Sequence, residues 1–278
     1  MTSAPARREP RNVPALLARL RPERFTGAVA VSGGPGGTLH LRDGLVGAVQ
    51  TPAAPTAESV LLRSGRIAEG DWTTARAARP DAGPLADTLV AGGFIGAAEL
   101  ELVCTAAVFD GAFAMALNPV DGFEVLAGHP APELTAAPGV EPARLTEETA
   151  RRLAALRDRG MRAGDVVGAP VRLVVGARPQ ILDARRHALL LGVDGRRTPR
   201  DLAFALGRGV FPVLLDLVRL HTVRLTESGA PPERTAPPVS VRARPRPAAT
   251  DQATVGPLPR RRPPRHSGPA DRSRPQND

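Results

Sequence analysis

Six arginines, Arg185, Arg186, Arg196, Arg197, Arg200 and Arg208, fall within 24 residues of a sequence that contains no lysine. Guanidinium groups gathered in this way suit the oxygen pairs of phosphates and carboxylates, which they grip with two parallel N–H bonds. Arg196 and Arg197 stand just ahead of "TPRDLAFALG", a segment with the signals of a helix start, where free backbone amides also favour anions. Phosphate contact is one reading of the cluster. A solvated face balanced by Asp183, Asp194 and Asp201 is the other.

The remaining reactive side chains lack the company that chemistry requires. Cys104 lies in the apolar run "ELVCTAAVF" and reads as a buried structural thiol, with no second cysteine for a disulfide or a CxxC metal knuckle. His40, His129, His187, His221 and His266 include no i,i+4 pair and no HExxH, so no metal site is expected. "VSGGPGGT" has the glycines of a phosphate cradle without the lysine of a nucleotide loop, and reads as a hairpin turn. Ser64, in "LRSGR", lacks the GxSxG elbow of a nucleophile. Glu147 and Glu148 fit the first turn of a helix, where carboxylates compensate its dipole. No catalytic residue, cofactor or metal is expected, and the chain is not expected to be an enzyme.

The elements that position these residues follow from hydrophobic period and turn chemistry. "VPALLARL" places Leu16, Leu17 and Leu20 on one side of a short helix,. "FTGAVAV" and "TLHLR" alternate as strands joined by the glycine turn, and "LVGAVQT" follows Asp43-Gly44 as a third,. "TAESVLLRSG" predicts a helix capped by Thr56, with Glu58 in its first turn and Gly65 at its end,. Helices are also predicted at "PLADTLVAGG" and "AAELELVCTAAVF", then a hairpin of "GAFAMAL" and "GFEVLAG" turning at Asp121-Gly122. "HPAPELTAAPGVEPA" lacks periodicity and reads as a linker,.

Beyond it, "LTEETARRLAALRDRG" predicts a helix with Thr146 as its N-cap,. An extended "PVRLVV" and a helix in "QILDARRHALLLG" precede "DGRRTPRDLAFALGRGVF". There Thr198, Pro199 and Asp201 form a helix start with an Asp in the capping-box position, Leu202, Ala203 and Leu206 face inward, and Gly207 ends the helix,. "VFPVLLDLVRL" completes a helix trio, and "HTVRLT" has the alternation of a wing strand. From Ser228 onward twelve prolines and ten arginines predict disorder,.

The fold expected is therefore α+β. An antiparallel meander with helices occupies residues 1–128, a linker 129–145, a mainly helical winged-helix domain 146–227, and a disordered basic tail 228–278. The formal charge of +9 would ordinarily imply a polyanionic partner. However, residues 228–278 hold ten arginines against four acids, so the rest of the chain is close to neutral. The exclusive use of arginine, with abundant Ala, Gly and Pro, also has the look of a GC-rich genome's codon bias. No signal peptide is expected because Arg19 interrupts the only candidate apolar region. No stretch approaches the roughly 18 apolar residues of a membrane helix. A cytoplasmic location follows as the expectation.

"ALLARLRPERFTGAVAVSGG", "GTLHLRDGLVGAVQT" and "ESVLLRSGRI" resemble the domain-of-unknown-function family at the N-terminus of PatA-type response regulators, over residues 13 to about 126. The resemblance implies a small α/β module for protein interaction and carries no catalytic residues with it. Residues 180–226, with "LLLGVDGRRTPRDLAFALG", are similar to MarR-like winged-helix modules, and the pairing resembles actinobacterial regulatory proteins. That implies a non-enzymatic transcriptional regulator touching DNA phosphates through Arg196, Arg197, Arg200, Arg208, Arg219 and Arg224. The third helix departs from the DNA-reading pattern, offering only Asp216 and Arg219 as polar side chains,. The alternative is a signalling adaptor, for example in a bacterial GTPase or kinase pathway, whose two modules bind proteins. The expected partners are thus DNA or a regulatory protein held by the N-terminal module, with no membrane, and homodimerisation is open.

Overall fold

The computed structural model describes residues 12–79, 83–160, 168–174, 182–222, 224 and 226–228. The basic tail from residue 229 onward lies outside them, as does the end of the "PVRLVV" segment. The fold is α+β.

Helix α1 (Val13–Leu20) opens on Asn12, whose side chain accepts the Ala15 N–H at 2.9 Å. It buries Leu16, Leu17 and Leu20. The meander β1 (Gly27–Gly33), β2 (Gly37–Arg42) and β3 (Leu45–Gln50) is antiparallel. Asp43 and Gly44 both take positive φ, 50° and 77°, between β2 and β3, as a tight two-residue hairpin turn demands. A fourth strand, β4 (Val120–Ala127), pairs antiparallel with β1 to give the order β3-β2-β1-β4.

Four helices follow the meander in sequence before β4: α2 (Ala57–Arg63), α3 (Glu69–Ala78), α4 (Leu85–Ala91) and α5 (Ala97–Met115). Thr56 caps α2 as expected, accepting from the Ser59 N–H, and Gly65 follows it with φ of 71°. Helix α3 has no clear signature in the sequence, yet it contributes buried Trp72 and Ala75 to the main core. That core joins Leu16, Val29, Leu41, Leu61, Trp72 and Leu89.

Two expectations are corrected here. The "GAFAMAL" strand does not form, because residues 111–115 continue α5, whose end buries Gly111, Phe113, Ala114 and Met115. A helix apolar on all sides shows no amphipathic period to distinguish it from a buried strand. A Cβ on Gly111 would lie 2.9 Å from Val49, so glycine lets α5 settle close on β3. Strand β4 pairs with β1 instead, and Asp121-Gly122 lies within it, beside a register shift at Ser32/Gly33.

The segment read as a linker is a packed strap. Val46 and Val140 exchange both backbone hydrogen bonds, at 2.9 and 2.8 Å, and Ala136 N–H donates to the Gly47 carbonyl at 2.8 Å. Leu134, Ala136 and Val140 are buried in the main core. Prolines remove N–H donors and hide the alternation, while the remaining donors still find the outer edge of β3. Helix α6 (Pro142–Arg157) then begins earlier than expected, with Pro142 in its first turn. Thr146 lies inside it and donates to the Pro142 carbonyl at 2.9 Å instead of capping.

The helix trio forms where it was expected, as α7 (Ala184–Gly192), α8 (Pro199–Leu206) and α9 (Val210–Thr222). Strand β5 (Val171–Leu173) precedes the trio, β6 (Thr226–Ser228) follows it, and the two pair antiparallel. This ribbon joins segments from either side of the trio. The expected "HTVRLT" strand is shortened because α9 runs on through Thr222. A second core gathers Leu156, Leu189, Leu202, Leu214 and Leu220 around Phe113 and Ala114 of α5. The described residues all fall in one compact unit by their contacts. Among the described residues no helix is long and apolar enough to cross a membrane.

Candidate functional site

The turn before α8 holds Arg196 and Arg197, two of the arginines expected at phosphates, and the first turn of α8 holds a third, Arg200. Asp194 Oδ1 accepts the backbone N–H groups of Arg196 and Arg197 at 2.9 and 2.8 Å. These donors hold the Asp194 carboxyl below its ordinary range. The Arg197 side chain donates to the Gly192 carbonyl at 3.1 Å and lies 3.4 Å from Asp194 Oδ2. Arg200 Nε lies 3.9 Å from Asp201 Oδ1. Thr198 and Asp201 complete the capping box reciprocally, with Thr198 Oγ1 accepting the Asp201 N–H. The Arg196, Arg197 and Asp201 amides are thus occupied by the chain's own carboxylate and hydroxyl.

Arg208 and Arg219 converge elsewhere, on Asp216 of α9, which is only 3% exposed. Arg208 Nη2 donates to Asp216 Oδ2 in a short contact. Arg185 Nε donates to the same oxygen at 3.0 Å, while Arg186 and Arg219 approach Oδ1 at 3.7 and 3.9 Å. One buried carboxylate therefore organises four guanidinium groups. Burying a carboxylate is tolerated only when it is paired and hydrogen-bonded. The acids that balance the arginines are therefore not only Asp183, Asp194 and Asp201, because Asp216 gathers Arg185, Arg186, Arg208 and Arg219. Arg224, with φ of 57°, is exposed just past α9 and distant in sequence from the turn before α8.

The start of α9 is fixed by a residue 100 positions earlier. Asp110, buried on α5, accepts the N–H groups of Val210 and Phe211 at 2.6 and 2.9 Å. It acts as a cap supplied by another helix, satisfying donors that a helix start leaves free. Burial pushes the Asp110 carboxyl upward, opposed by the Phe211 and Val210 amides and then by Arg152. Arg152 of α6 lies 3.8 Å from Asp110 and donates to Glu148 at 2.7 Å. Its guanidinium also covers the Phe109 and Phe211 rings at 5.6 and 4.9 Å. The hydrogen bond from Arg151 foremost, then that from Arg152, brings Glu148 down to about 2.

Gly207 and Gly209 make this approach sterically feasible. Gly207 has φ of 58°, and a Cβ there would lie 2.4 Å from the Ser64 nitrogen. A Cβ on Gly209 would meet the Asp110 carboxylate at 3.0 Å. The α8–α9 turn can consequently pass between the end of α2 and the middle of α5, leaving an open groove of about 780 Å³ beside it.

Cys104 is buried and burial drives its thiol up to about 12, so it is a poor nucleophile at neutral pH. Among the described residues no group of three metal-ligating side chains is found. The sequence did hold a signal for Asp110 and Asp216, since each is a lone acid in an apolar run. Nothing in it marked Leu102, which is 66% exposed at the groove. No family model, curated protein or solved structure matches the chain.

Proposed function

We propose that this protein is a non-enzymatic regulatory adaptor that binds a protein partner, using its helix-turn-helix-like trio as a packing frame. The observation that carries this reading is the burial of α9. Val210, Phe211, Val213, Leu214, Leu217 and Leu220 all face the core. A helix that reads DNA must present several polar side chains to base edges; on α9 Asp216 is buried with Arg219 3.9 Å from it, and the remaining polar side chains, His221 and Thr222, are confined to the last turn. The resemblance of residues 13–126 to the PatA-type interaction module, and the winged-helix likeness of residues 180–226, support a place in regulatory signalling.

DNA binding is the second reading, favoured by exposed Arg196 and Arg197 in the turn before α8 and exposed Arg200 in its first turn. Contacts there would be to phosphate, with affinity that falls steeply as salt rises. Mobility shifts of duplex DNA separate the two readings, comparing the full chain with one ending at Glu233, both checked for folding by circular dichroism. At about 0.15 M salt the full chain should retard DNA through its arginine-rich tail, and the shorter chain should not. Retardation by the shorter chain that disappears in the Arg196→Ala/Arg197→Ala variant would overturn the adaptor reading in favour of DNA binding.

A further inference from the structure

The groove beside the α8–α9 turn combines an unfilled apolar floor with an arginine rim. Leu102, Ala106 and Asp110 succeed one another at i,i+4 spacing along α5, and Leu206 and Pro212 form the opposite wall. Leu102 is 66% exposed. A single exposed leucine is ordinary, but this one lies in a concave surface, where small Ala106 and Ala205 leave room for another backbone.

The charge around that floor is one-sided. Arg63, Arg66, Arg152, Arg185 and Arg208 line the groove, against one acid, Asp110, which is buried and engaged with the start of α9. Arg66 pairs with Glu99 and Arg152 with Glu148. Arg185 and Arg208 share Asp216 with two further arginines. Arg63 is exposed and has no carboxylate partner among the described residues. The rim therefore has guanidinium charge to spare.

We propose that this groove docks an acidic amphipathic helix of a partner protein. Apolar residues at i and i+4 would cover Leu102, and carboxylates would meet Arg63 and Arg185, a helix-in-groove mode of recognition. The proposal rests on the adaptor reading and gives its partner a chemistry. The chain's own tail is not the occupant, because residues 228–278 carry ten arginines against four acids and would be repelled. Nucleic acid matches the rim but gains nothing from an apolar floor.

The test uses the full chain and a fluorescein-labelled synthetic helix with leucines on one face and glutamates on the others, followed by fluorescence anisotropy at about 0.15 M salt. Saturable binding is expected, weakened roughly tenfold by Leu102→Glu and by Arg63→Glu. Leu191→Glu, at a leucine 77% exposed on α7, should change nothing, and the same peptide with lysines in place of glutamates should not bind. Leu102 is exposed, so circular dichroism of the variant should match the parent. Absence of binding, indifference to both groove variants, or equal binding of the lysine peptide overturns the proposal, as does competition by duplex DNA through the same residues. If the chain ending at Glu233 ignores DNA while the peptide fails to bind, the groove assignment falls and the adaptor reading stands. If that chain binds DNA through Arg196 and Arg197, the adaptor reading itself has failed.

Discussion

Glu148 shows how far a charge can be held by its neighbours on one helix. It accepts two bonds from Arg151 and one from Arg152, all at 2.7 Å. Its carboxyl, ordinarily near 4.5, falls to about 2. As pH drops the unfolded chain takes up the proton first, so this stabilisation is present above about 4.5 and is lost as pH falls towards 2,. In urea melts, Glu148→Gln should therefore be less stable than the parent at pH 7, with the gap closing in strong acid; a gap independent of pH would contradict the ion-pair account. The sequence placed this residue on a helix and explained it by the dipole, because the arginines at i+3 and i+4 were legible only as charge, without their geometry. The Thr198–Asp201 box was fully legible, since a cap is settled within four residues. The roles of Asp110 and Asp216 were not, because the partners of Asp110 lie 100 residues away and four arginines from three segments compete for Asp216.

At the level of elements, glycines decide which segments can approach one another. Gly65 and Gly207 both take positive φ, but a Cβ on Gly65 would meet nothing within 4 Å, whereas one on Gly207 would strike the Ser64 backbone. Gly65→Ala should cost only the backbone strain of a left-handed residue, about 1 kcal/mol. Gly207→Ala should cost clearly more, because the α8–α9 turn must also withdraw from α2, and urea melts of the two variants measure the difference. Elements with a strict period and punctuated ends, α1, β1 to β3, α2 and the trio, were read correctly for this reason. Helix α3 was missed because its buried Trp72 stands among polar residues, and the strap at 134–140 was missed because prolines obscure its pairing. The end of α5 was misread because uniform hydrophobicity carries no period.

In the whole molecule, α5 belongs to both cores: it gives Val103, Val108 and Phe109 to one and Phe113 and Ala114 to the other. Unfolding should accordingly be cooperative across both. Leu214→Ala, at a fully buried position of the second core, should cost about 2–5 kcal/mol. Trp72 fluorescence, which reports on the first core, should shift its midpoint together with the helical circular dichroism signal. A Trp72 transition unmoved by the substitution would show the cores to be independent. Such coupling was beyond the reach of the sequence, where a proline-rich stretch marked a boundary and each half was read by its local pattern.

The one-to-four arrangement at Asp216 gives this surface an asymmetric tolerance. Arg186 or Arg219, at 3.7 and 3.9 Å from the carboxylate, can be traded away while Arg185 and Arg208 still hydrogen-bond it, so that part of the trio's outward chemistry is free to drift. The aspartate has no such substitute: without it, four like charges would repel across the same few ångströms, and the helices beneath would lose the anchor that sets their spacing.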